Sequence, residues 1–121
     1  MNKRSVDELI PKAVESLKNA KISNEKGEIS KTFRGQISTF GAAVTNGSLI
    51  SAVAFFSDKG SSQTDRPKLL TAIQEMIGEK NLFDYVCDAH KQGRSKEAEV
   101  KEKILNAAIA LKLAMNLYKL V

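Results

Sequence analysis

The chain has 121 residues, 42% of them apolar, 27% charged and 6% aromatic, which suits one compact domain spanning residues 1–121. Lys and Arg number 19 against 14 Asp and Glu, a formal charge of +5 that favours an anionic partner without approaching a histone-like tail. One cysteine excludes an internal disulfide and a multi-cysteine zinc site, and two prolines with seven glycines argue against a low-complexity chain.

The opening residues lack the uninterrupted apolar core of a signal peptide, so a soluble, cytoplasmic domain is expected. Ser5-Val6-Asp7-Glu8 has capping-box spacing ahead of a stripe of Val6, Leu9, Ile10, Ala13, Val14 and Leu17. Pro11 is expected either to kink this first helix or to delay its regular part to about Leu9. Asn24 to Glu28, with Gly27, reads as a polar loop. A second helix opens at Ser30, and Phe33, Ile37, Phe40 and Val44 fall on one of its faces. Gly35 and Gly41 weaken it and are read as points of close helix contact. Asn46-Gly47 ends it, with Gly47 expected in the left-handed conformation.

Ser48 can cap a third helix, Leu49 to about Ser57, which is apolar nearly all round and is therefore expected at the centre of the core. No charge occurs from Gly35 to Ser57, a stretch long enough to cross a bilayer. Its polar residues and central Asn46-Gly47 favour two buried helices instead, and no membrane partner is expected. Asn46-Gly47-Ser48 is formally a glycosylation acceptor, but it reads as a helix-ending turn.

Asp65 is a plausible cap and Pro67 a first-turn residue for a fourth helix that buries Leu69, Leu70, Ile73, Met76 and Ile77 and stops at Gly78. A fifth runs from about Asn81 to Lys91, with Leu82, Phe83, Val86 and Ala89 inward. Ser95 opens the last and longest. Val100, Ile104, Ala107, Ala108, Leu111, Ala114, Met115 and Tyr118 form one of its stripes; Leu105, Ile109, Leu113, Leu117 and Leu120 form a second. The expected fold is all-α, a single domain of about six helices with a buried central helix and a long C-terminal helix.

No enzyme is read in this sequence, and no cofactor or metal is expected. Cys87 and His90, with Asp84 and Asp88 nearby, are the one conceivable reactive or metal-ligating cluster; a buried thiol beside Phe83 and a surface histidine is the plainer account. The glycines at 35, 41 and 47 match neither the dinucleotide fingerprint nor the phosphate loop. Cations carry more. Lys31 and Arg34 are the only charges between Glu28 and Asp58, and they stand one turn apart at the start of the second helix. Lys59, Arg66 and Lys68 gather around the next loop. Phe33, Phe40, Phe55 and Phe56 read as core, so phosphate contact rather than base stacking is expected.

The run Phe33-Arg34-Gly35-Gln36-Ile37, then Val44 to Leu49, then Ala52-Val53-Ala54-Phe55-Phe56-Ser57-Asp58-Lys59-Gly60 resembles the small subunit of the type III-B CRISPR–Cas (Cmr) RNA-targeting effector complex. The likeness is best over Lys31 to Gly60, and the family's size and helical character cover the whole chain. The chain departs from the family in Ser48, inserted between Gly47 and Leu49, and in its Leu117-Tyr118-Lys119-Leu120 ending. The resemblance implies a non-catalytic subunit in antiviral defence. Several copies of it would stack beside other Cas subunits along guide RNA and target RNA. It also implies that Arg34 and Lys59 face nucleic acid; Lys31, Arg66 and Lys68 are added on charge alone. The alternatives are a helix-turn-helix DNA-binding regulator, for which Asp84 and Asp88 make a poor reading helix, and a purely structural helical adaptor.

Overall fold

The computed structural model describes residues 3–58 and 65–121. The chain is all-α, and its described residues form six helices in one compact domain: α1 (Lys3–Asn19), α2 (Lys31–Asn46), α3 (Leu49–Phe56), α4 (Pro67–Ile77), α5 (Leu82–Gln92) and α6 (Arg94–Met115). Two short strands, β1 (Glu28–Ile29) and β2 (Lys119–Leu120), add a parallel pair that the sequence reading lacks. Among the described residues no helix is long and apolar enough to cross a membrane.

α1 runs unbroken through Pro11. Proline offers no amide to the Asp7 carbonyl, but Asp7 and Pro11 both lie on the exposed face, where water can serve that oxygen. Ser5 therefore sits inside the first turn, not ahead of it. The buried side carries Val6, Ala13 and Leu17. At the far end Lys21 takes φ 60°, and the Ile22 amide reaches back to the Leu17 carbonyl at 2.9 Å, the closing bond of a Schellman motif. Asn24 then builds the loop: its side-chain oxygen accepts from the amides of Lys26 and Glu28, both at 2.9 Å.

Ser30 caps α2 by accepting from the Thr32 amide, and Phe33, Ile37, Phe40 and Val44 are all buried, as their spacing predicts. Gly47 ends the helix differently from expectation. Its φ is −123°, outside the left-handed region, and its amide bonds the Ala43 carbonyl at 2.9 Å. A Cβ there would stand 2.9 Å from that same oxygen, so close approach of backbone to backbone is what calls for glycine. Gly35 and Gly41 have nothing within 4 Å of a Cβ, so they do not mark close helix contacts within the chain.

Ser48 caps α3 through the Ser51 amide. α3 buries Leu49, Ala52, Val53 and Phe56 but leaves Ala54 and Phe55 exposed, so it packs by one side instead of lying wholly in the core. Phe56 meets Phe40 edge to face, with centroids 5.2 Å apart. α4 begins at Pro67 without a side-chain cap from Asp65, and ends at Gly78 in the left-handed region, φ 74°. Asn81 caps α5 through the Asp84 amide. Phe83 is 39% exposed, not inward as expected, because Leu82, Val86 and Ala89 already fill the buried stripe of this helix.

α6 occupies the middle of the molecule and packs against α1, α2, α4 and α5. Its alanines at 107, 108, 110 and 114 are buried and let four helices approach closely. The first predicted stripe is buried from Val100 to Met115, and its last member, Tyr118, is half-buried. The second is not: Leu105 and Ile109 are half-buried, and Leu113 and Leu117 are exposed. The helix also stops at Met115, earlier than its apolar pattern suggests, because the last residues turn into β2. The Lys119 amide donates to Gly27, the Val121 amide to Ile29, and the Lys31 amide to the Val121 carbonyl.

Candidate nucleic-acid interface

Lys31 and Arg34 lie in the first turn of α2, Lys31 exposed and Arg34 half-buried. Neither has an ion-pair partner among the described residues. That turn holds no acidic side chain. The positive end of a helix favours anions, so two cations there oppose the local field by a few tenths of a kcal/mol each. Helix stability gives no reason for them. The amide of Lys31 is tied to Val121, which brings β2 and its exposed Lys119 to the same end of the molecule.

Arg66 and Lys68 are engaged within the chain. The Arg66 guanidinium lies 4.3 Å from the centroid of the Phe55 ring and 5.9 Å from that of Phe56. Its Nε and Nη2 donate to the Asp58 carbonyl oxygen at 2.9 and 2.5 Å. It thus ties the start of α4 to Asp58, just past α3, and covers the aromatic ring of Phe55. Lys68 Nζ reaches the Lys21 carbonyl at 3.5 Å, at the negative end of α1. Lys59 lies outside the described residues.

The expectation that all four phenylalanines are core fails at Phe55, which is 58% exposed. A signal for this lies in the spacing. Leu49, Ala52, Val53 and Phe56 stand at i, i+3, i+4 and i+7, a complete stripe for a two-turn helix, and Phe55 falls about 100° away from Phe56. The ring borders a hollow of about 430 Å³ between α2 and α3, whose polar lining includes Thr39, Asn46, Ser48 and Ser51. An aromatic ring, a planar guanidinium over it and a rim of hydroxyl and amide groups can stack and hydrogen-bond an unpaired base.

Cys87 is half-buried. His90 is exposed and its Nδ1 meets Glu97 Oε2 at 2.6 Å across the turn between α5 and α6. Among the described residues no group of three or more His, Cys, Asp and Glu side chains converges as a metal site would need. Comparison with protein-family models, curated proteins and solved structures returns no match at any of the three.

Proposed function

We propose that the chain is a non-catalytic small subunit of a CRISPR RNA-guided, RNA-targeting effector of the type III-B (Cmr) class. It acts in the cytoplasm, beside other Cas subunits and copies of itself, and touches guide or target RNA mainly through phosphates. The observation that carries the RNA contact is the pair Lys31 and Arg34, unpaired cations at the positive end of α2 with no acid in that turn. A phosphate between them turns an unfavourable arrangement into a favourable one, since the helix dipole and both side chains then act on the same anion. The segment that carries the family resemblance supports the reading further. Its described part, residues 31–58, forms the α2–α3 hairpin, and the last turn of α3 presents Phe55 under Arg66.

The test uses the purified chain with a fluorescent single-stranded RNA, with salt varied, and then the effector reconstituted with guide RNA. Binding is expected to be weak and indifferent to sequence. Log affinity should fall linearly with log salt, with a slope set by the phosphates engaged. K31E/R34E should flatten that slope by about one to two and weaken target binding by the assembled complex. Unchanged binding in both assays removes these residues from the interface. A sharp preference for one duplex sequence replaces the reading with a DNA-binding regulator, and co-purification with an unrelated protein and no RNA replaces it with an adaptor.

A further inference from the structure

The last strand of the chain bridges two segments from its first third. The Lys119 amide donates to the Gly27 carbonyl at 2.9 Å, and the Lys31 amide donates to the Val121 carbonyl at 3.1 Å. Lys26, next to Gly27, therefore flanks one end of β2, and the first turn of α2 flanks the other. Lys119 lies between them. The register sets its direction: Ile29 is buried and stands beside Leu120, so by alternation Glu28 and Lys119 belong to the outer face of the pair. Lys26, Lys119 and Lys31 are all exposed, and half-buried Arg34 follows one turn along α2. Four cations from a loop, a strand and a helix thus form one row, assembled by backbone hydrogen bonds between distant parts of the sequence.

The nearest acid leaves that row unneutralised by any ion pair. Glu28 stands directly opposite Lys119 in register, a position where opposite charges stabilise a sheet. It makes no ion pair there, and its Oε1 accepts instead from Asn24 Nδ2 at 2.9 Å. The first turn of α2 holds no acidic side chain. None of Lys26, Lys119, Lys31 and Arg34 has an ion-pair partner among the described residues. Like charges held on adjoining elements repel one another, and a polyanion laid along them removes that repulsion.

We infer that the β1–β2 pair carries an RNA strand across this end of the molecule, with Lys26 and Lys119 holding phosphates of the same backbone that Lys31 and Arg34 engage. The inference rests on the RNA reading above and deepens it by two residues and a direction, from the loop before β1 to the first turn of α2. The row offers only ammonium and guanidinium groups, so it meets backbone charge and reads no base sequence. Phosphate neutralisation along several elements also suits a subunit that binds weakly by itself, since each contact releases counterions and adds to the others.

Fluorescence anisotropy of the full chain with a single-stranded RNA of mixed sequence, titrated over a range of salt, tests it. Each phosphate engaged on a single strand contributes about 0.7 to the log–log slope, so K26Q/K119Q should flatten that slope by about 1.4. K12Q/K80Q removes the same charge from exposed positions off the row and should leave the slope unchanged. K26R/K119R keeps both charges and should bind as the wild type does. A slope unchanged by K26Q/K119Q but flattened by K31E/R34E overturns the row and leaves the RNA reading standing; a slope unchanged by either overturns both. Equal flattening by K12Q/K80Q overturns the inference, because total charge then suffices. Weakening by K26R/K119R as great as by the glutamines also overturns it, since the loss is then one of local structure. So does retention of the wild type on phosphatidylserine vesicles with no RNA bound at low salt, which assigns the row to a membrane surface.

Discussion

Gly47 and Gly35 show how differently two glycines of one sequence segment are constrained. A methyl group at Gly47 meets the Ala43 carbonyl oxygen at 2.9 Å, and that oxygen is held by the helix it closes. Gly47→Ala is therefore expected to lower stability by about 1–2 kcal/mol, read as a reduced midpoint of urea unfolding with unchanged slope. Gly35→Ala, exposed inside α2 with open space around it, should raise stability by about 0.5–1 kcal/mol in the same measurement. From sequence alone both looked like features of helix contact or turn geometry. A left-handed conformation for Gly47 was the natural expectation after Asn46, but the Ser48 cap of α3 takes up the chain so soon that the turn is made at negative φ.

Among the elements, the α3–α4 connection carries the most distinctive local chemistry. Arg66 joins three things at once: the carbonyl of Asp58, the ring of Phe55 and the first turn of α4. Arg66→Lys keeps the charge but loses the planar stack and the forked donors. The variant should bind single-stranded RNA about three- to tenfold more weakly while leaving the salt slope unchanged, since stacking and not phosphate neutralisation is lost. An altered slope would place Arg66 among the phosphate contacts instead. Helices of this chain are legible in its sequence because each repeats an apolar stripe: Phe33, Ile37, Phe40 and Val44 are all buried where their spacing puts them. The strands are not legible, since two residues cannot show alternation and their partners lie far apart in the chain. The site divides in the same way. The positions of Lys31, Arg34, Arg66 and Lys68 can be read from charge, whereas the use of Arg66 and Lys68 as clamps depends on where Phe55, Asp58 and Lys21 arrive in space.

At the scale of the whole molecule, α6 is the axis around which α1, α2, α4 and α5 are placed, and its buried alanines set how close they come. Ala107 is fully buried, so Ala107→Leu should force these helices apart and cost about 1–3 kcal/mol, measured by thermal or urea unfolding.

The pairing of β1 with β2 also has a consequence in time. It joins Glu28 to Lys119 and so closes a loop of about ninety residues, an entropic cost of about 4 kcal/mol if paid before the helices pack. Packed helices bring the two ends together at no such cost, so the strands are expected to zip only after the transition state has formed. Leu120→Ala, at a half-buried strand position, should then accelerate unfolding while leaving the refolding arm of the chevron where it was. The seam between the early and late parts of the chain would be the last join made in folding and the first to part.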